Sequence, residues 1–362
     1  MRGTRSWLRR SVIAAVVAGS FVVACNDDEV NVNLVPPILV NNNFAVTNLV
    51  TDFVTGGGAH VDPRLINPWG LTFAPTGLIW SANNGTGTAT VYDANGTPTS
   101  LVVQIPSVDS PIGGVPTGIV FNQTSSFVIP DIGVATFIFA SEDGIISAWN
   151  SVAGTSARVV VNRSSTSAVY KGIAILANGG ENFLYATDFR NNAIDIFDST
   201  FMFVRSVTDP SIPAGFAPFG IQAIGGKLYV TFAKQQGPDN VDDVAGVGNG
   251  FVSVFNADGT VSRRFASNGS LNSPWGVALA PAGFGPFSGA ILIGNFGDGK
   301  IGAYDAANGG FIDFLRNGVG SPVVIDGLWT LRFGPGTGSL SLFFSAGTSN
   351  ETHGLIGKIF PR

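Results

Sequence analysis

Four oxygen-bearing side chains fall at equivalent places along this chain: Asn83, Glu142, Asp188 and Asn295 each close a short apolar segment, and Phe232 and Gly347 hold the two remaining places. The places recur on the order of 50 residues apart, as units of a repeat would. Carboxylate and amide oxygens are the ligands that hard cations such as calcium take. The same residue types also cap the turns they begin, by bonding to their own backbone. Residue type favours capping and leaves a shared calcium ion open.

The remaining inventory for catalysis is thin. His60 and His353 are the only histidines, lie in separate segments and lack ligand spacing, which argues against a His-cluster zinc site. No Gly-x-Ser-x-Gly elbow, phosphate loop or His-Glu-x-x-His is present. No catalytic residue can therefore be named. Asp239, Asp242 and Asp243 form a second acidic cluster in a long Gly-containing segment, but their spacing does not fit an EF-hand loop. With His60 and Asp62, they are the candidates for ligand-facing loops.

Positioning these groups is the task of an internal repeat. Asn67-Pro68-Trp69-Gly70-Leu71 returns as Ser273-Pro274-Trp275-Gly276-Val277, and weaker copies begin near Val115, Tyr170, Ala217 and Leu328. After each anchor come a short apolar strand, a turn, a second strand rich in aromatic and branched residues, a polar turn and a third strand. Asn95-Gly96, Asp258-Gly259 and Asn308-Gly309 then fall where a hairpin to a fourth strand needs positive φ. The expected fold is all-β: a six-bladed β-propeller of four-stranded antiparallel blades. The last copy ends at Gly354 to Phe360 without a fourth strand, and Phe44 to Val50 is an unclaimed strand at the other end. Pairing the two would close the ring and remove its open sheet edges. Two loops exceed the plan, Gly56 to Arg64 and Lys234 to Gly250, and both are expected on the face where first strands begin and second strands end. The anchor aromatics Trp69, Phe219, Trp275 and Trp329 are expected to pack between neighbouring blades, with stacking on a ligand ring as the other possibility.

The phrase Leu184-Tyr185-Ala186-Thr187-Asp188 through Ile194-Asp195-Ile196-Phe197-Asp198 resembles the NHL-type repeat of six-bladed propellers. The Pro-Trp-Gly anchors resemble those of a family of secreted bacterial propellers, and the resemblance covers residues 44–362. It specifies fold well and activity poorly, because propellers host unrelated functions. Similar six-bladed lactonases and esterases bind a metal at the channel mouth through Glu, Asn and Asp from several blades. Their ligand set does not map residue by residue onto Asn83, Glu142, Asp188 and Asn295.

Residues 1–25 read as a signal peptide: four arginines in the first ten residues, an apolar run too short to span a bilayer, and Val22-Val23-Ala24-Cys25, which matches the bacterial lipobox. Cys25, the single cysteine, is the expected lipidation site. Arg9-Arg10-Ser11-Val12-Ile13 resembles a twin-arginine signal, so the export route stays open. Residues 26–43 have the composition of a flexible tether. Cleavage would remove four of 19 basic residues and none of 24 acidic ones, a mature net charge of −9 that argues against nucleic acid as a partner. These features together predict an exported cell-envelope lipoprotein, periplasmic or at the cell surface, monomeric, and touching the membrane through its lipid alone. Its propeller would be a non-enzymatic binding or scaffold domain for a protein, small-molecule or carbohydrate ligand. The alternative is a calcium-dependent hydrolase of the lactonase or esterase type with its site at the channel mouth; no cofactor other than Ca2+ is suggested.

Overall fold

Each blade begins with an inner strand that contains its anchor, and its next strands run outward as antiparallel hairpins. A computed structural model describes residues 41–336 and 339–362; the signal peptide, Cys25 and the tether up to residue 40 lie outside the described residues. Blade 1 is Pro68–Phe73, Ile79–Asn83, Thr88–Tyr92 and Pro98–Gln104. Blades 2 to 5 open with Pro116–Phe121, Tyr170–Asn178, Phe216–Ile224 and Pro274–Leu279, and each is a four-stranded sheet. Blade 6 runs from Leu328–Phe333 through Leu342–Ala346 and Leu355–Pro361 to the N-terminal strand Phe44–Thr51, with His60–Val61 added at its edge. The closing pair is antiparallel, with Phe44 opposite Pro361 and Thr47 opposite Lys358, as the unclaimed strand predicted. The ring grips the chain slightly earlier than residue 44, however. Asn42 is buried, donates through Nδ2 to the Phe314 carbonyl at 2.8 Å and accepts from the Arg316 amide at 3.0 Å, so 41–43 belong to the ring rather than the tether.

Turn chemistry explains the outer hairpins. Asp93 Oδ1 accepts from the amides of Asn95 and Thr97, and Gly96 follows with φ 89°, which a glycine adopts without strain. Asp198, Asp258 and Asp305 repeat this capping in three other blades.

Six buried apolar clusters lie between successive blades, including one between blades 6 and 1, and a seventh lies on the axis. The inner strands contact one another in chain order, and that of blade 6 returns to that of blade 1. Their approach is closer than a Cβ allows. A Cβ at Gly70 would lie 2.5 Å from the Thr117 carbonyl oxygen, at Gly118 2.8 Å from the Ile173 amide, at Gly220 2.1 Å from the Trp275 oxygen and at Gly276 2.5 Å from the Trp329 oxygen. Blade 6 has Thr330 at this place and uses its hydroxyl to bond the Trp69 carbonyl of blade 1 at 2.7 Å. Hydroxyls bridge other blades likewise, Thr117 to the Tyr170 carbonyl at 2.8 Å and Thr187 to that of Phe219 at 2.7 Å.

Gly220→Ala should therefore lower the melting temperature, at a cost of about 1–3 kcal/mol for forced overpacking. Gly318→Ala, whose Cβ would meet nothing closer than 3.5 Å, should change it little. Equal melting temperatures for the two variants would contradict the packing described.

Candidate functional site

The axis has two unlike ends. At the end where the inner strands begin, equivalent anchor positions from blades 1 to 6 are Trp69, Thr117, Lys171, Phe219, Trp275 and Trp329. Trp69 and Trp329 stack with ring centroids 3.5 Å apart, and Phe296 stacks on the other face of Trp329 at 3.9 Å. Trp69 meets Phe219 of the opposite blade edge to face at 6.1 Å, and Trp275 meets Trp329 at 5.9 Å. The rings of neighbouring blades do meet, Trp69 with Trp329 and Trp275 with Trp329, but they do so on the axis, where Trp69 also reaches Phe219, and together they plug it. Position explains this, because a side chain at the start of an inner strand points into a channel narrow enough for the Trp69 indole to meet the Phe219 ring of the opposite blade. The aromatics between blades are others, such as Trp80 against Phe137 at 4.0 Å.

Lys171 takes an aromatic's place in this plug. Its side chain is 1% exposed, its Nζ lies 4.8 Å over the Trp69 ring, and it is ion-paired with Glu142 of blade 2. Glu142 also accepts from Asn84 Nδ2 of blade 1 at 2.8 Å. On the other side, Asn67 donates to Glu351 at 2.6 Å and accepts from the Trp329 indole at 3.0 Å. Burial raises the Glu351 and Asp243 carboxyls above their ordinary values, against the smaller opposing effect of the Lys171 charge.

Of the four oxygen-bearing residues, only Glu142 reaches a neighbouring blade's side chains. Asn83 donates to Thr88 and Thr90 of its own blade at 3.2 and 2.8 Å. Asp188 accepts from the Val169 and Asn191 amides and from Asn191 Nδ2 at 2.7 Å. Asn295 donates to the Ser270 carbonyl and to Asp298. Phe232 is in the core between blades 3 and 4, and Gly347 leaves room for Asn67, whose Oδ1 would be 2.1 Å from a Cβ there. Among the described residues no three His, Cys, Asp or Glu side chains gather as a metal-holding group.

Of the loop candidates, Asp62 is buried and accepts from Tyr92 OH at 3.1 Å and from the Arg64 amide at 3.0 Å. His60 is half-buried and pairs along the backbone with Val50. Asp239 and Asp242 are exposed. Asp243 alone of its cluster turns inward, within reach of the Lys171 charge, and its Oδ2 has no hydrogen-bond partner.

At the other end the inner strands stop short of one another. A layer of Leu71, Ile119, Ile173, Ile221, Val277 and Leu331 narrows the channel to a void of about 30 Å³. Below it the channel opens into two adjoining cavities of about 310 and 580 Å³ that share Phe121, Gln123, Thr124 and Arg332. Phe73, Phe333 and Ile175 supply much of the apolar wall. Arg332 of blade 6 reaches over blade 5 to Gln222 of blade 4, with a long 3.4 Å contact from Nη1 to Oε1. Among the described residues no carboxylate, histidine or thiol lines this mouth.

Inspection of residue types passed over Lys171, Asn67, Glu351, Gln222 and Arg332. A signal existed for two of them: Lys171 stands in an anchor where four copies carry an aromatic, and Arg332 stands in an inner strand where the others read Thr72, Val120, Ala174, Gln222 and Ala278.

Asp243 yields a test with a definite sign. A carboxyl whose native pKa is raised contributes full stability below its unfolded pKa and loses it as pH rises through the native value. Asp243→Asn should accordingly raise the melting temperature at pH 7, and the gain should vanish as the pH falls through the carboxylate range. A variant less stable than wild type at pH 7 would show that the carboxylate is net favourable beside Lys171.

No protein-family model matches the chain. Uncharacterized protein R648 of Acanthamoeba polyphaga mimivirus is 35% identical over 331 residues, 88% of this chain and 79% of its own length. Uncharacterized protein L690 of the same virus is 35% identical over 314 residues, 83% of this chain and 82% of its own. Among solved structures, a streptogramin B lyase superposes with a TM-score of 0.54 at 13% identity, covering 89% of this chain and 99% of that one. A catalytically inactive virginiamycin B lyase from Staphylococcus aureus with quinupristin gives 0.51 at 14% identity, covering 88% and 99%. At such identities the lyases share the propeller fold alone, and the sequence relatives being viral, the resemblance to secreted bacterial propellers extends to architecture. The chain belongs to the family of the two mimivirus proteins, and its fold within that family is a six-bladed β-propeller.

Proposed function

We propose that this chain is an exported, lipid-anchored propeller that binds a ligand without transforming it, in the open mouth of its axis. One observation carries the proposal: the mouth is concave and sets apolar walls beside amides, hydroxyls and one guanidinium, yet among the described residues it offers no carboxylate, histidine or thiol as base or nucleophile. At the plugged end Lys171 is ion-paired with Glu142, and Glu351 accepts a hydrogen bond from the Asn67 amide. The calcium-dependent hydrolase alternative asks Asn83, Glu142, Asp188 and Asn295 to share an ion. Three of these four side chains bond within their own blade or turn, which favours the binding role.

A neutral apolar dye such as Nile red should gain fluorescence on binding the folded chain, and Ala223→Trp, which fills the mouth, should abolish the gain at an unchanged melting temperature. Calcium and a chelator should each leave the melting temperature unmoved. A chelator-sensitive melting temperature together with calcium-dependent ester or lactone turnover would overturn the proposal in favour of the hydrolase. The anchor is tested separately: Cys25→Ser should release the protein from the membrane fraction or leave its precursor uncleaved, and equal membrane association of mutant and wild type would remove the lipid from the account.

A further inference from the structure

Arg332 is a cation without a counter-charge. Among the described residues no carboxylate pairs with it, and its one side-chain partner there is the Gln222 amide oxygen at 3.4 Å, the long limit of a hydrogen bond. A guanidinium carries five N–H donors in a planar fork. Most of that fork therefore faces the mouth unused. Arg332 is half-buried, with open access to the mouth, and this partial burial disfavours its charge and lowers the guanidinium from its ordinary range. A charge drawn from water is retained at a cost unless something pairs with it. The walls around it are of the opposite character: Phe73, Phe121, Ile175, Leu279 and Phe333 are half-buried or exposed at the ends of five inner strands. At the plugged end the described carboxylates Glu142, Glu351 and Asp243 lie within reach of the Lys171 charge, whereas no such opposite charge stands beside Arg332 among the described residues.

We infer that the mouth binds an amphiphilic organic carboxylate, its carboxylate bidentate on the Arg332 fork and its apolar body on the aromatic and aliphatic wall. The inference rests on the binding role proposed above and adds the chemistry of the ligand. A planar carboxylate matches two parallel N–H donors of the fork, and Gln222 and Gln123 stand at the same mouth to bond its outer lone pairs. The combined cavities have room for a body of roughly drug-fragment size.

Octanoate, 1-octanol and octylammonium, titrated below their micellar concentrations against the full folded chain, separate charge from apolar body. Octanoate should bind roughly tenfold or more tighter than octanol, the margin expected for a charge-assisted hydrogen-bonded pair, and octylammonium more weakly than either. Octanoate affinity should fall as pH drops through the acid's own pKa. Arg332→Met should bring octanoate to the level of octanol while raising the melting temperature of the unliganded protein, because it replaces an uncompensated charge by an apolar chain of similar length. Equal affinity of wild type for octanoate and octanol would overturn the inference, as would an Arg332→Met protein that keeps the octanoate preference. If Nile red still binds while octanoate shows no preference, the carboxylate claim falls and the binding role stands; if neither binds, both fall.

Discussion

The close approach of six inner strands around one axis is the constraint on which the rest depends. Glycines 70, 118, 172, 220 and 276 let each inner strand lie against the backbone of the next, and Thr330 completes the circuit with a hydroxyl bond to Trp69. Burial alone would hold blades side by side at many angles. Backbone contact fixes the angle, and six equal steps close the circle without a leftover edge. The N-terminal strand in blade 6 is a consequence: the ring can close only if the last blade is completed from the other end of the chain.

Tight inner strands also decide what the axis can hold. At the end where the anchors begin, opposite side chains touch, and stacked indoles exclude any channel there. Lys171 is tolerated in that apolar setting because Glu142 pairs with it and Trp69 presents its ring face. At the other end the strands diverge, and the same ring geometry leaves a hollow with apolar walls. The two ends thus follow from one geometry with different side chains, plugged where they are large and open where the inner strands end.

The fold was legible in the sequence because its signals are local and repeat. Anchors, period-2 strands and Asn-Gly or Asp-Gly turns each report on a few neighbouring residues, and six copies reinforce one another; even the closing strand showed as a gap in the count. The axis was far less legible. Trp69 and Phe219 read as packing residues, but nothing local says that residues 150 positions apart in the chain meet across a channel rather than beside a neighbouring blade. Asn83, Asp188 and Asn295 drew attention by their type, and type does not reveal whether an oxygen turns to its own blade or to the centre. Lys171 and Arg332 were visible only as departures from the repeat, and a departure acquires meaning once its neighbours are known.

The proposed binding site is the end of the axis left open, the mouth around Arg332. A crystal soaked in 4-bromobenzoate locates an aromatic carboxylate directly through the anomalous signal of its bromine. The account predicts a single axial site in the mouth, with the carboxylate on the Arg332 guanidinium and the bromine toward Phe121 or Phe333. Occupancy at the Lys171 end, or none on the axis while the mouth is open to solvent in the crystal, would contradict it.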